Sequence, residues 1–159
     1  MARAKHRRGP GPIMAREMRV SSVAFSVSIH AEKPRGAEPA RESRAWLDLE
    51  GTLNEPLRGV SSATMTLHPE AEWHRGTLGP PSIGGIIGLK PHIQCVVGVP
   101  NDDFDRVWLI ASAGHLKFCH IAFTEPERRH AFIVSTSFSS KSEYEDEREV
   151  RSVEETQAP

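Results

Sequence analysis

One irregular stretch of the chain brings together residue types that bind transition metals. His68, Glu72 and His74 lie within seven positions, and imidazole and carboxylate groups are zinc ligands. The chain contains neither His-Glu-x-x-His nor Cys-x-x-Cys, the spacings that identify such sites most specifically. Eight histidines also produce some clusters by chance. We therefore assign no metal ligand and no cofactor, and a small metal-dependent enzyme that uses the 68–75 segment stays an alternative.

Other patterns of catalytic residues are incomplete. Residues 79–84 have the glycine spacing of a phosphate-binding loop, but Gly85 and Ile86 stand where lysine and a hydroxyl residue are required. No Gly-x-Ser-x-Gly sequence is present to form a nucleophile elbow. Asp48 and Glu50 share the polar face of one predicted strand, where carboxylates are ordinarily solvated. The sequence thus predicts no catalytic residue and favours a protein that is not an enzyme.

The two cysteines also fit a structural role better than a chemical one. Cys95 and Cys119 lie inside predicted strands rather than in loops. His120 follows Cys119 directly, and adjacent residues of a strand point to opposite faces, so these two side chains cannot pair. A pairing of Cys95 with a histidine on a neighbouring strand is geometrically open. Buried, reduced thiols are the favoured interpretation, and they are typical of the cytoplasm.

Two tryptophans outside the predicted core indicate a binding surface instead. Trp46 lies on the polar side of its strand and Trp73 in the irregular stretch, and tryptophan is enriched at protein–protein contacts. Long irregular connections in compact domains also often carry function. We therefore predict a non-catalytic binding or assembly module that contacts a protein partner or a second copy of itself, forming a homo-oligomer. Its predicted binding residues are Trp46, Trp73, His74, Arg75, Gly84 and Gly85.

The elements that must position these residues are mainly β-strands. Alternation of apolar and polar residues predicts them at 20–30, 44–53, 60–68, 93–99, 115–124 and 129–138. A short strand at 86–89 is expected within the irregular crossover that precedes residue 93. A turn is predicted at Asn54-Glu55-Pro56. Seven or eight strands with one short helix before a C-terminal β-hairpin predict an antiparallel β-sandwich or flattened barrel.

The helix, at about 102–113, has its apolar residues on one stripe. Phe104, Val107, Trp108 and Ala111 recur at helical spacing, and Asn101 or Asp102 is predicted to cap the first turn. In the second strand of the following hairpin, one face carries His130, Phe132, Val134, Thr136 and Phe138. The opposite face carries Arg129, Ala131, Ile133, Ser135 and Ser137 and is predicted to be the more polar of the two.

The two ends of the chain carry opposite charge. Residues 1–13 are basic and residues 141–159 are acidic, and both contain too little apolar surface to fold. We predict that they are disordered arms on a single β-rich domain at 14–140. The basic arm makes a nucleic-acid accessory protein a second alternative, ranked below protein contact because no aromatic residue is interleaved for stacking. Without an apolar run of membrane length or a signal peptide, we expect no membrane contact and a cytoplasmic location.

Overall fold

In the part of the chain that the structure describes, the fold consists of seven strands and one helix. The structure is a computed structural model, and it describes residues 11–31, 41–70 and 81–144. The strands are β1 (Ile13–Ala31), β2 (Arg41–Leu57), β3 (Val60–Glu70), β4 (Gly84–Gly88), β5 (Ile93–Pro100), β6 (Phe118–Thr124) and β7 (Ala131–Ser139). The helix α1 (Asn101–Ser112) lies between β5 and β6. Each element corresponds to one that the sequence predicts.

The strands close into a barrel in the order β1-β2-β3-β5-β4-β7-β6, and β6 pairs with β1 to complete it. Neighbouring strands are antiparallel except β3 and β5, which are parallel. A parallel pair requires a connection that crosses from one end of the sheet to the other. The chain between β3 and β5 makes this crossing and contributes the short strand β4 on the far side of β5. The predicted mainly β, flattened-barrel fold with a single helix is confirmed.

Period-two alternation builds the barrel interior. The odd-numbered residues at 47–53 of β2, 63–67 of β3 and 93–99 of β5 point inward, which removes their apolar side chains from water. The largest fully buried side chains are Phe123, Met18, Leu47, Leu49, Met65, Leu67, Ile86, Ile93, Ile133, Val97 and Cys119.

The turn between β2 and β3 lies later than the sequence indicates. Arg58 and Gly59 form it with φ angles of 50° and 79°, the two left-handed positions of a tight hairpin. The predicted turn at Asn54-Glu55-Pro56 is wrong. Those residues instead produce an irregularity in β2, where its register with β3 shifts between Thr52 and Leu57. An irregular strand tolerates Pro56 because it has already lost regular ladder hydrogen bonds there.

The buried face of β7 changes along the strand. Its register with β6 shifts between the pairs Ala122–Ser135 and Phe123–Ile133, so one extra residue reverses the inward direction. Ala131 and Ile133 are buried before the shift, whereas Phe132 is exposed. The predicted division into one less polar and one more polar face along the whole strand is therefore interrupted, because Ala131 and Ile133 of the more polar face are buried.

The helix closes one end of the barrel. Its buried residues are Phe104, Val107 and Ala111, as the apolar stripe predicts, and it contacts β3 and β5. The predicted side-chain cap is wrong: Pro100 occupies the N-cap position, and no side-chain hydrogen bond caps this helix. Asp102 nevertheless lies in the first turn, where a carboxylate interacts favourably with the helix dipole.

Most of the two predicted arms, residues 1–10 and 145–159, lies outside the described residues. Residues 141–144 continue from β7 along the outside of the barrel. The division into two arms and one domain stays a prediction. In the part of the chain that the structure describes, no helix has the length and apolar character needed to cross a membrane.

Candidate functional site

Two strands extend beyond the barrel as a two-stranded ribbon. β1 pairs with β6 only as far as Arg19–Phe118 but continues to pair with β2 up to Ala31. β2 in turn pairs with β3 only from Leu47 onwards. Residues 22–31 of β1 and 41–46 of β2 therefore project past the barrel, and we call them the ribbon. Since β3 and β5 are parallel and α1 follows β5, the ribbon and the helix lie at the same end of the barrel.

A local irregularity allows β1 to leave the barrel wall. The register of β1 with β2 shifts between Val20 and Ser22, as expected for a β-bulge, which bends a strand and increases its twist. The Ser21 Oγ donates a hydrogen bond to the Glu50 carbonyl oxygen at 3.1 Å. The last backbone contact of β1 with the β6 side is the Val20 N–H, which donates to the Lys117 oxygen.

The ribbon carries a row of apolar side chains on the face that continues the barrel interior. Val23 and Phe25 lie opposite the fully buried Leu49 and Leu47, and Val27 lies opposite Ala45. Along β1 the exposed fraction then rises from 39% at Phe25 to 58% at Val27 and 69% at Ile29. We call Phe25, Val27 and Ile29 the contact face.

The helix covers only the base of the contact face. The Phe25 and Trp108 rings meet edge to face, with centroids 4.6 Å apart and an interplanar angle of 62°. Trp108 also contacts Phe104, with centroids 5.7 Å apart. Aromatic pairs with this geometry are stabilising, so they fix the ribbon base against the helix. Val27 and Ile29 lie farther along β1 and remain exposed.

Three of the predicted site residues, His68, Gly84 and Gly85, lie together elsewhere, on the outer wall of the barrel. Thr66 Oγ1 donates a 2.6 Å hydrogen bond to Asp48 Oδ1 on this wall. On β2, Trp46 lies two positions before Asp48. On β3, His68 lies two positions after Thr66. Gly84 and Gly85, with His68, line a cleft of about 250 Å³. Its other lining residues are Glu70, Ser82, Ile83, Val96 and Gly98.

The glycines of this cleft have packing roles. A Cβ on Gly84 would lie 2.0 Å from the Val96 carbonyl oxygen, so β4 approaches β5 closely only because Gly84 lacks a side chain. A Cβ on Gly98 would lie 2.1 Å from the Glu70 carboxylate, which rests on the Gly98 backbone. Close packing accounts for both glycines, whereas the predicted role of Gly84 and Gly85 in contacting a protein partner stays a prediction.

The rest of the predicted site lies outside the described residues, which do not include Glu72, Trp73, His74 or Arg75. The His68 Nε2 lies 4.0 Å from the Glu70 Oε1, an ion pair when the imidazole is protonated. Within residues 11–31, 41–70 and 81–144, no group of three or more histidine, cysteine, aspartate or glutamate side chains is placed to hold a metal ion. The metal-dependent alternative therefore depends on Glu72 and His74.

A second cavity, of about 300 Å³, lies between α1, the end of β5 and β7. Apolar side chains form most of its wall, chiefly Ile83, Val97, Val99, Val107 and Phe138. Asp103 and Arg106 stand at its edge and form a 3.0 Å ion pair with each other. The cavity has the size and polarity of a site for a small apolar molecule, near the lower limit for ligand pockets.

The two cysteines are free and buried inside the barrel, as predicted. Burial, with a smaller contribution from the nearby Cys119, raises the pKa of the Cys95 thiol to about 12. Burial likewise raises the pKa of Cys119 to about 12, against a lowering hydrogen bond from Thr136. His120 lies on the outer side of β6, away from both thiols. Thiols in this environment are poor nucleophiles because little thiolate forms near neutral pH.

A buried carboxylate holds the segment that follows β7. Glu17, which is 4% exposed, accepts hydrogen bonds from the Ser142 Oγ at 2.5 Å and from the Glu143 N–H at 2.8 Å. The Glu143 carboxylate lies 3.9 Å from His120 Nε2, and the Tyr144 ring stacks on His120 with centroids 6.4 Å apart. The Glu17 side chain thus fixes residues 142–144 against the outer wall.

Replacing Glu17 with alanine is expected to release this segment. The buried Ser142 hydroxyl and the Glu143 amide would lose a charged acceptor, which lowers the free energy of unfolding by about 2 kcal/mol. Hydrogen exchange at the Glu143 amide should become at least about tenfold faster, since 1.4 kcal/mol corresponds to that factor. Glu55→Ala is the matched control, because the exposed Glu55 lies 3.5 Å from Arg16 and such surface pairs contribute little. Unchanged exchange at Glu143 in Glu17→Ala would contradict the assignment.

Sequence reasoning missed the contact face. It identified the alternation of Val23, Phe25, Val27 and Ile29 but could not show that the second half of this strand extends past the barrel. A signal was present, since residues 20–31 contain no Asp, Glu, Lys, Arg, Pro or Gly. Compared with protein-family models, with curated proteins and with solved structures, the chain has no match in any of the three.

Proposed function

We propose that this protein is a non-catalytic binding module that contacts another protein chain through the contact face. The observation that carries the proposal is the rising exposure of Phe25, Val27 and Ile29. These are successive residues on the face of β1 that continues the barrel interior. Isolated exposed apolar residues are common, but a contiguous apolar row usually marks an interaction site. Aromatic and aliphatic anchors of this kind form the centres of protein–protein interfaces.

The geometry of the ribbon supports the same function. An isolated two-stranded ribbon is marginally stable in water, and it gains stability when its apolar face packs against another element. α1 provides such packing at Phe25 through Trp108. At Val27 and Ile29 a partner chain would provide it. The proposed compartment is the cytoplasm, where the free thiols Cys95 and Cys119 stay reduced.

The alternatives rest on other residues. A metal-dependent enzyme would need Glu72 and His74 to join His68, and a nucleic-acid accessory protein would use the basic segment 1–13. The predicted surface at Trp46 is also separate, because Trp46 lies opposite Ser26 on the other face of the ribbon. The contact face is therefore the surface to test first.

Photo-crosslinking in the producing cells tests the proposal directly. A benzophenone amino acid at position 27 is expected to give one adduct of defined mass, because a partner chain covers this position. The same amino acid at Ser135, an exposed position of β7, serves as the matched control and should give none. Adding Ile29→Lys to the position-27 variant should reduce the adduct at least tenfold by placing a charge in the apolar contact. Equal crosslinking at positions 27 and 135 would overturn the proposal.

A further inference from the structure

We propose that the partner of the ribbon is a second copy of this chain, bound edge to edge along β1. This inference rests on the proposed function and specifies the partner. The two ribbons would join by antiparallel pairing of their β1 strands about a twofold axis. The product would be a four-stranded sheet in the order β2-β1-β1-β2, with the apolar rows of both copies on one face.

The first observation is an open strand edge. Beyond the Val20–Lys117 hydrogen bond, β1 pairs with β2 on one side and with no described strand on the other side. In the described part of the chain, the edge from Ser22 to Ala31 therefore presents backbone N–H and C=O groups without ladder partners. Such an edge is a template for another strand.

The second observation is the absence of the usual protection of such an edge. Proteins protect edge strands with charged residues, prolines or bulges that prevent pairing with other chains. Residues 20–31 contain none of the four charged residue types and no proline, and the bulge near Ser21 lies before the open edge. The companion strand differs, since residues 41–46 include three charged residues. Protection on one edge alone indicates that the β1 edge is the one that pairs.

The third observation is that this strand is complementary to itself. In an antiparallel pair centred on a residue, each odd-numbered residue lies opposite an odd-numbered residue of the other copy. Val27 and Ile29 of both copies then fall on the same face as Phe25. An uncharged edge meets an uncharged edge, so no like charges oppose the pairing. Twofold contacts that use one patch on both subunits are the commonest form of homo-oligomer.

The location of the helix fits this arrangement. Trp108 packs on Phe25 at the ribbon base, so α1 lies on the apolar side of the sheet. The two copies of α1 would flank the joined apolar rows on one side of the four-stranded sheet. Each α1 would cover Phe25 at the base of its own contact face. Val27 and Ile29, which lie farther along β1, would pack between the two chains.

A scan of single cysteines at positions 23 to 30 tests the register as well as the dimer. Under mild oxidation of the full-length protein, a twofold axis brings only the axial residue close to its own copy. For a residue one position away from the axis, its two copies lie about two residues apart, roughly 7 Å along the strand. This separation is too long for an ordinary disulfide bond. We expect one maximum, with crosslinking at least tenfold weaker two positions away. The native Cys95 and Cys119 are buried, and the unsubstituted chain measures any background from them.

Sedimentation velocity of the unsubstituted chain completes the test. We expect a dimer that dissociates on dilution, and a dissociation constant at least tenfold higher for Val27→Lys than for Ser135→Lys. A monomer at all concentrations, or equal crosslinking along the whole scan, would overturn the edge-to-edge dimer. If the position-27 photo-adduct then has the mass of a different chain, the proposed function stands and only the second-copy inference fails.

Discussion

Replacing Gly84 with alanine is expected to lower the free energy of unfolding by about 3 kcal/mol, the upper range for overpacking a well-filled site. The new Cβ would lie 2.0 Å from the Val96 oxygen and 2.8 Å from the Val97 Cα. Both atoms belong to the backbone of β5, so neither can rotate away. β4 would have to separate from β5, and the barrel closes through that pair. Urea denaturation followed by tryptophan fluorescence measures the loss.

Gly98→Ala is the matched control for this prediction. Its Cβ would also meet a neighbour at 2.1 Å, but that neighbour is the Glu70 carboxylate, the end of a flexible side chain on the outer wall. Glu70 can rotate into solvent, and alanine in place of glycine stabilises a strand because it loses less conformational entropy on folding. We therefore expect the free energy of unfolding of Gly98→Ala to stay within about 1 kcal/mol of that of the unsubstituted chain. Equal losses in Gly84→Ala and Gly98→Ala would contradict the packing explanation. A role for Gly84 in contacting a protein partner must be tested in variants that preserve this packing.

Alkaline pH is expected to destabilise the barrel through its two thiols. Burial raises the pKa of Cys95 and Cys119 from 9.0 to about 12. Between those values the unfolded chain releases thiol protons that the folded barrel retains, so the unfolded state binds fewer protons and stability falls as pH rises. The thiol contribution is fully present below pH 9 and is lost towards pH 12. Each thiol lowers the free energy of unfolding by about 1.4 kcal/mol per pH unit in that window.

The slope of stability against pH separates the thiols from other groups. Lysine and tyrosine side chains also titrate in this range, but they are unchanged in a Cys95→Ala variant. That variant should lose part of its stability at pH 8 because a buried side chain becomes smaller. Above pH 9, its free energy of unfolding should decline less steeply, by about 1.4 kcal/mol per pH unit. Identical slopes from urea denaturation at pH 9 to 11 would show that Cys95 ionises equally in both states.

The ribbon presents two different surfaces. Phe25, Val27 and Ile29 form the contact face on one side, and Trp46 lies on the other side with Asp48. A partner that adds to the β1 edge would leave the Trp46 side open. The sequence-predicted surface and the contact face can therefore be tested independently in one protein, by substitutions at Trp46 and at Val27.

The sequence by itself determined the elements and most of the core. Alternating apolar residues identified every strand except the short β4, although they placed the start of β1 at Val20 rather than at Ile13. The stripe of Phe104, Val107 and Ala111 identified the buried face of the helix. These signals are local, because side-chain direction follows a fixed period within a strand or a helix. The same local logic predicted buried thiols, since Cys95 and Cys119 fall within strands. Where the register shifts, as in β7, the period is interrupted, so Phe132 is exposed whereas Val134 and Phe138 of the same predicted face are partly buried.

Only the tertiary structure decided which strand segments form the barrel wall and which extend beyond it. The apolar residues on one face of β1 have the same pattern from Val23 to Ile29, yet Val23 packs on the core and Ile29 is 69% exposed. That difference depends on where β6 and β3 stop pairing with their neighbours. The parallel pairing of β3 with β5 and the contact of Glu17 with Ser142 are likewise set by chain closure over long distances. A local pattern encodes which face of a strand is apolar, but what covers that face depends on residues far away in the sequence.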